Sequence, residues 1–532
     1  ESLFWADQKA EEIVDRKKFH YLDKKIPKFD KYTIKTSASI SGVLHIGRLS
    51  DTIRSESVCK ALKEQGHDSE MIWVAEDMDP LRKIPGGVPA EFSTHLGMPV
   101  SEIPDPWGCH SSYAEHHVSE YLEVIDEFMD TNVARYSMRD EYKKGNFKPY
   151  IKAILDNLEK LIEIQNKYRE TPLKPEWSPW TPACKNCGKV ITPRVKKLEG
   201  DRIIYRCEDY SFETRTAAGC GYEGEADALR DEGKLLWKSE WAAQWARWGI
   251  VAEGAGKEYV VPSSAWWVNA EIVERILEFP MPVPIFYEHL MIDGKKMSAS
   301  LGNVVYPKDW LSVAPAQLLR FFYNKKLMKT RSFSWRDLPN LYDEYDEHAR
   351  IYFEKKEDSK EVRHMKRLYE ISQLGSIEEP INLPFSHAVL ISQVFMGENA
   401  IITSLKRSGH YEEKKRSAIL NRIELAKNWA KKYAPEEAKI NLSIDIEKIR
   451  AQLSNRQKGL LQRLAVWLEK DRSAEEIHAQ IYQIANETKI PLNEAFQAVY
   501  LSTIGKTRGP KAGTFISSLD REWVIKRFRE VS

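Results

Sequence analysis

Residues 31–36, KYTIKT, are dense in strand-forming side chains, and SASISGVLHIG behind them substitutes small residues and two glycines. From Leu49 the apolar period changes: Leu49, Ile53, then Ala61 and Leu62 recur at helical spacing and stop near Gly66, a residue type that ends helices. MIWVA at 71–75 is a short continuous apolar run, suited to a buried strand. The order strand, glycine-containing turn, helix, strand predicts one βαβ unit. Residues 80–110, rich in Pro and Gly, predict loop; 117–170 predict helices, clearest in SEYLEVIDEFM and YIKAILDNLEKLIEI; TPLKPEWSPWTP then breaks the pattern. Residues 237–320 return to α/β character, with MPVPIFYEHLMI as a strand feeding the loop DGKKMSASLGN. After about 330 the strands disappear. GLLQRLAVWL puts Leu460, Leu461, Leu464, Trp467 and Leu468 on one helical face, SAEE at 473–476 reads as a capping box, and Ile477, Ile481, Ile484 and Ala485 repeat the spacing. EKKEDSKEV at 354–362 predicts a solvated loop.

Length and charge narrow the class. A chain of 532 residues predicts roughly three or four domains at about 100–200 residues each. With 80 basic against 79 acidic residues, no polyanion partner is announced globally, and any basic surface is local. One such stretch is 504–532, where Lys506, Arg508, Lys511, Arg521, Lys526, Arg527 and Arg529 outnumber Asp520, Glu522 and Glu530 and alternate with Phe515, Trp523 and Phe528. That mixture suits unpaired RNA bases and phosphate; an amphipathic helix with a solvated basic face accounts for it equally. No apolar run approaches the roughly 18–20 residues that span a bilayer, and the first residues lack the charged-then-apolar order of a secretion signal. The expectation is a soluble, cytoplasmic protein with no membrane partner.

Six cysteines are few for a secreted chain of this length, and four of them are clustered. Cys184-x₂-Cys187, Cys207 and Cys220 place four thiols within 37 residues, with Gly188 and Gly221 at turns. That is a zinc-ribbon pattern, in which tetrahedral Zn²⁺ replaces a small domain's missing core. Four histidines also fall within 95–117. Asp105, Cys109, His110 and His116 could close a second tetrahedron of O, S, N and N; on the residues alone His117 serves as well as His116. Neither cluster has an obvious open position, so both predict structural metal.

The turn inside the βαβ unit carries the first candidate chemistry. In SGVLHIGR (41–48), Gly42 and Gly47 let a ligand approach the backbone, and His45 stands at a helix N-terminus, where a phosphate is favoured. GKKMSAS (294–300) offers Lys295, Lys296, Ser298 and Ser300 on a loop after a strand, suited to polyphosphate. Together they resemble the paired HIGH and KMSKS signatures of class I aminoacyl-tRNA synthetases, with Arg48 for the second His and Ala299 for the second Lys. The resemblance implies ATP with Mg²⁺, His45 and Lys296 as catalytic groups, and Gly47, Arg48, Lys295, Ser298 and Ser300 as ATP contacts. Such groups stabilise charge that grows on phosphate oxygens as a carboxylate attacks.

PDPWGCHSSYAEH (104–116), LWKSEW (236–241), AGKEY (255–259), KKYAPE (431–436) and IGKTRGP (504–510) are similar to class I, archaeal-type lysyl-tRNA synthetases, and the likeness covers nearly the whole chain. It implies L-lysine and tRNA-Lys as substrates, with no DNA partner. In the family a carboxylate one helical turn past the HIGH-like motif faces the lysine ε-ammonium, and Asp51 holds that column; Asp77 and Asp79 rank below it. Ser37 and Ser39 match positions that hold the α-amino group, Trp237 and Tyr287 resemble aromatic walls for the side chain, and Tyr259 stands where some members have His. Gly256 and Glu258 resemble a ribose contact, and the family pattern favours His116 over His117 as metal ligand, giving two structural Zn²⁺.

The implied architecture is an α/β, Rossmann-type catalytic domain with a zinc-bearing insertion, then an all-α region. Residues 1–100 form the first half of the catalytic domain and 101–236 an insertion with helices and a zinc ribbon at about 181–225. Residues 237–325 form the second half with the KMSAS loop, and 326–532 the helical anticodon-binding region. Two other accounts remain: a class I enzyme for another amino acid, glutamyl or arginyl, and a non-catalytic zinc-containing tRNA-binding relative. Asp51 argues against an acidic substrate, and an intact His45 and Lys296 argue against a protein with no need of ATP.

Overall fold

A computed structural model describes residues 4–40, 42, 44–298, 301–354 and 359–532. The chain forms two compact units: one spans Glu1–Lys308, Ala316–Phe333 and Glu357–Ile377, the other Asp309–Pro315, Ser334–Lys356 and Glu378–Ser532. No described helix is long and apolar enough to cross a membrane.

The first unit is built on five parallel strands: β1 (Tyr32–Ser39), β2 (Ser69–Glu76), β3 (Val133–Ser137), β4 (Ile250–Gly256) and β5 (Val283–Tyr287). Their spatial order is β3-β2-β1-β4-β5, the doubly wound arrangement. The strand order reverses between β1 and β4, and in such sheets ligands bind beyond the carboxyl ends of the strands at that point. β1 and β2 are covered on both faces, which is why KYTIKT and MIWVA lack strict alternation.

Two strand assignments differ from the sequence expectation. VARYS at 133–137, expected within a helical stretch, is the edge strand β3; with two of its five residues exposed it has no apolar run to announce it. MPVPIFYEHLMI is two strands. Val283–Tyr287 closes the main sheet, whereas Leu290–Ile292 joins a separate small sheet with Lys295–Lys296 and Arg331–Phe333.

Helix α1 (Ile46–Glu64) follows β1, and α2 (Tyr113–Phe128), α3 (Trp237–Trp248) and α4 (Ala265–Arg275) complete the covering layers that matter here. α1 is buried almost all round, polar residues included. The helix Ala316–Asn324 matches them: Arg320 pairs with Glu56 at 2.8 Å with both side chains fully buried, and Ser57 Oγ donates to Asn324 Oδ1 at 2.7 Å. Between β3 and β4 lies the insertion. Helices Met138–Lys143, Lys148–Asp156 and Leu158–Lys167 precede an antiparallel three-stranded ribbon of Pro193–Glu199, Arg202–Cys207 and Glu223–Asp227.

The second unit is helical among its described residues. Capping boxes at Ser454/Gln457 and Ser473/Glu476 start Asn455–Trp467 and Ala474–Thr488. The expected stripe of Leu460, Leu461, Leu464, Leu468, Ile477, Ile481, Ile484 and Ala485 is buried, while Trp467 lies half-exposed with the Arg472 guanidinium 4.3 Å from its ring. The expected loop 354–362 is shorter than its sequence implies: 355–358 lie outside the described residues, and a helix, Lys360–Ile371, begins inside it.

Candidate active site

The carboxyl ends of β1 and β4 open into a cleft of about 990 Å³, within the usual size of small-molecule sites. Strand alternation points Ser37 and Ser39 of β1 the same way, and both line it. His45 caps α1 beyond β1: its Nδ1 accepts the Gly47 N–H at 3.1 Å. Burial, with the nearby Arg48 charge, pulls the imidazole down to about 4, so the ring is neutral. With Nδ1 accepting, the proton sits on Nε2 and is available to a ligand. One turn on, Thr36 Oγ1 donates to Asp51 Oδ2 at 2.7 Å, while Asp51 Oδ1 is buried with no hydrogen-bond partner. Burial lifts this carboxyl to about 7, against the Thr36 bond and with Glu253 adding to the rise.

The other wall comes from β4, β5 and the segment after them. Gly254 passes so close to Asp51 that a Cβ there would stand 2.0 Å from Oδ1. Gly256 is closed in by Glu258 and His289, whose Oε2 and Nε2 lie 2.6 Å apart; that contact holds the Glu258 carboxyl below its usual range. Trp237 stacks on Trp241 at 4.8 Å, Tyr259 meets Trp241 edge-on at 5.2 Å, and the Arg54 guanidinium lies 4.9 Å from the Tyr287 ring. Asp293 and Gly294, with φ of 49° and 75°, make the tight turn between Leu290–Ile292 and Lys295–Lys296. Asn303 ties the loop beyond: Nδ2 donates to Lys296 O at 2.9 Å, and Oδ1 accepts the Ser298 N–H at 2.8 Å.

The two sequence motifs meet in this cleft. His45, Gly47, Arg48, Lys296 and Met297 all line it, and a Cβ at Gly47 would stand 2.7 Å from the His45 ring and 2.8 Å from the Met297 methyl. The main chain adds a second tie, from the Ile46 N–H to Val305 O at 2.9 Å. Asp51, Trp237, Gly256, Glu258, Tyr259 and Tyr287 line the same space. Lys295 does not, because neighbouring residues of a strand point to opposite faces and Lys296 takes the inner one. Ser298 also lies off the cleft wall, and Ser300 falls outside the described residues.

The sequence profile of a family described as tRNA synthetases class I (K) matches residues 3–375. The chain belongs to that family. A second profile, described as an anticodon binding domain, matches residues 417–532. Proteins named lysine–tRNA ligase are similar over the whole length: that of Methanosphaera stadtmanae is 32% identical, that of Methanocaldococcus jannaschii 33% and that of Thermococcus kodakarensis 34%, each alignment covering 99% of both chains. As a tRNA synthetase of this class, the chain uses ATP and Mg²⁺.

This class I (K) synthetase also gathers both metal-type clusters. Cys184, Cys187, Cys207 and Cys220 converge, with Sγ–Sγ distances of 3.6 Å for Cys184–Cys220 and for Cys187–Cys207. A tetrahedral Zn²⁺ with bonds of about 2.3 Å to sulfur has edges of about 3.8 Å, so the donors fit. In the second cluster Cys109 Sγ lies 3.1 Å from the Nδ1 atoms of both His110 and His116, which are 3.2 Å apart. Asp105 Oδ2 completes it, held by the N–H groups of Cys109 and His110. His117 is instead packed against Tyr113 and Trp107.

Several cleft residues escaped the sequence reading. Lys35 and Glu253 pair at 2.6 Å across β1 and β4, almost wholly buried, and both Trp241 and Trp245 donate to the other Glu253 oxygen. Lys234 bridges Asp79 and Glu240 at 3.2 and 3.3 Å, and burial lifts the neighbouring Glu76 carboxyl to about 8. The available signal was a charged residue inside an otherwise apolar strand, as in KYTIK, IVAEGAG and MIWVAE. Asp77, ranked low as a ligand, accepts the Ser137 hydroxyl and the Arg139 N–H at the start of Met138–Lys143, and so serves a helix terminus.

Proposed function

We propose that the chain attaches L-lysine to tRNA-Lys in the cytoplasm, through lysyl-adenylate. The single observation that carries this reading is Asp51: a buried carboxylate oxygen without a partner, in the cleft where the two nucleotide motifs meet. Such an oxygen calls for a cation, and the lysine ε-ammonium is one. Trp237, Tyr259 and Tyr287 enclose the side-chain stem, and Ser37 and Ser39 receive the α-ammonium.

In the first step the lysine carboxylate attacks the α-phosphorus of ATP in line, and pyrophosphate leaves. Charge builds on the equatorial and leaving oxygens. The Nε2–H of His45, the Arg48 guanidinium and the Lys296 ammonium are fixed donors for that charge, each typically worth about 100–1,000-fold in rate. Gly256 with Glu258 receives the ribose. Mg²⁺ bound with ATP supplies charge neutralisation at the phosphates. In the second step a 2′-hydroxyl of the terminal adenosine attacks the lysyl carbonyl, and AMP leaves. Cys184, Cys187, Cys207 and Cys220 would hold one structural Zn²⁺, and Asp105, Cys109, His110 and His116 a second.

The deciding experiment is charging of total tRNA with each amino acid in turn, with ATP. Lysine alone should be esterified. Charging with glutamate or arginine would reassign the pocket, and no charging with any amino acid would leave only an RNA-binding role.

A further inference from the structure

Behind Asp51 runs a chain of hydroxyls that the reaction just described does not use. Thr36 on β1, Thr52 on α1 and Tyr121 on α2 are buried, at 0%, 1% and 3% exposure, and none of them lines the cleft. Thr36 Oγ1 lies 2.7 Å from Asp51 Oδ2 and 3.0 Å from Thr52 Oγ1, which lies more loosely, at 3.4 Å, from the Tyr121 hydroxyl. Each hydroxyl has one proton to give. Thr36 gives its proton to the ionised Asp51, so it accepts from Thr52, and Thr52 accepts from Tyr121. Burial holds the Tyr121 phenol well above its ordinary range, so the chain ends on a permanent donor. Valine would fill either threonine site with no polar group to satisfy, whereas a buried hydroxyl costs free energy unless it is bonded. Three separate elements thus direct polar groups at one carboxylate oxygen.

The other oxygen is left alone. Asp51 Oδ1 has no hydrogen-bond partner, and Gly254 on β4 crowds it from the side. Arg54, one turn further along α1, is buried with its guanidinium 4.9 Å from the Tyr287 ring and 5.2 Å from the Tyr323 ring. Its donors are engaged by Ser50 Oγ at 2.6 Å, Tyr323 O at 3.1 Å and Glu288 O at 3.4 Å. A fixed cation therefore already stands behind the Tyr287 wall. A guanidinium binds a carboxylate best through two parallel N–H···O bonds, which need both oxygens. An ammonium is a compact point charge, and one oxygen suffices.

We propose that Thr36 is a specificity-determining positioning residue of the amino-acid site: by occupying Asp51 Oδ2 it leaves a single acceptor, which suits an ammonium and denies a guanidinium its two-point contact. This rests on the assignment of Asp51 to the lysine ammonium and deepens it by naming what sets the pocket against arginine. Thr52 and Tyr121 hold the Thr36 hydroxyl in that orientation. A purely structural role for the chain would affect folding and leave the choice of cation alone.

The test uses the full chain in lysine-dependent pyrophosphate exchange, with L-norarginine as the inhibitor. Its terminal nitrogens stand as many bonds from Cα as the lysine ammonium, so the fork is compared and not the length. Exchange is measured at alkaline pH, where Asp51 is ionised with or without the Thr36 bond. The readout is the ratio of the norarginine Ki to the lysine KM. Thr36→Val should lower that ratio about 10- to 100-fold, through a higher KM and a lower Ki, with kcat little changed. Thr36→Ser, which retains the hydroxyl, should keep the wild-type ratio. Tyr121→Phe, whose ring keeps its place 5.4 Å from that of Trp73, should lower the ratio by a smaller factor. A wild-type ratio in Thr36→Val, or a Thr36→Ser variant as impaired as Thr36→Val, would overturn the proposal. Should Thr36→Val not fold, a wild-type ratio in Tyr121→Phe would overturn it equally. An unchanged lysine KM in Asp51→Asn would instead defeat the Asp51 assignment itself, whatever Thr36 does.

Discussion

Asp51 leaves one buried carboxylate oxygen bare in the cleft. Its carboxyl sits near 7 because burial disfavours the anion, and the proposed contact with the lysine ammonium needs that anion. A carboxyl raised in the fold above its ordinary 3.8 contributes stability that is present at low pH and lost as pH rises through about 7. The KM for lysine should fall as pH rises through about 7 in wild type. Asp51→Asn should raise that KM about 100-fold or more, since removing one partner of a buried charge pair costs about 3–5 kcal/mol, with ATP affinity unchanged. In thermal melts without lysine the variant should be the more stable protein at pH 8, and the gap should narrow as pH falls below about 7 and close only below about 4. An unchanged KM would remove Asp51 from the pocket. His45 behaves oppositely: held down to about 4 by burial, it stays neutral across the working range. His45→Ala should therefore lower pyrophosphate exchange about 100–1,000-fold at every pH tested, leaving lysine binding intact in equilibrium titration.

At the scale of elements, what the sequence made legible was local: the β1–turn–α1–β2 unit, the capping box at Ser473 and the buried Leu/Ile stripe all follow from period and composition. What stayed hidden depended on partners far along the chain. β3 is a strand because β2 offers its edge, not because VARYS alternates. Lys35 and Glu253 are 218 residues apart and become a pair only when β4 docks beside β1. The contact between α1 and the KMSAS loop is of the same kind, and Gly47 is its hinge point. A methyl group at Gly47 would press on both the His45 ring and Met297. Gly47→Ala should thus lower pyrophosphate exchange by at least tenfold while the melting temperature shifts little, because the wedge lies in the open cleft rather than the core. Exchange at the wild-type rate would mean that the two motifs need not touch.

For the molecule as a whole, helical content alone does not say which unit a helix serves. The helices Ala316–Asn324 and Lys360–Ile371 belong with the first unit because their arginines are matched there, Arg320 by Glu56 and Arg367 by Asp7 at 2.7 Å. No periodicity reveals such pairs. The cysteines are the counterexample, since metal chemistry restricts spacing strongly enough to be read directly, and Cys184, Cys187, Cys207 and Cys220 do converge. The ribbon they close also shapes the cleft, because Val190 and Ile191, between the second and third cysteines, stand in its wall. Purified protein should therefore contain two Zn²⁺ per chain by elemental mass spectrometry. Cys187→Ser and His110→Ala should each remove one, and the double variant both. Chelation should lower the melting temperature, since metal binding to a site that the unfolded chain lacks is folding free energy. If the ions are structural, adenylate formation should decline in step with the folded fraction as temperature rises. Abolished exchange in a chelated protein that remains fully folded would instead place an ion in the chemistry, and a metal content of zero in active enzyme would remove both sites.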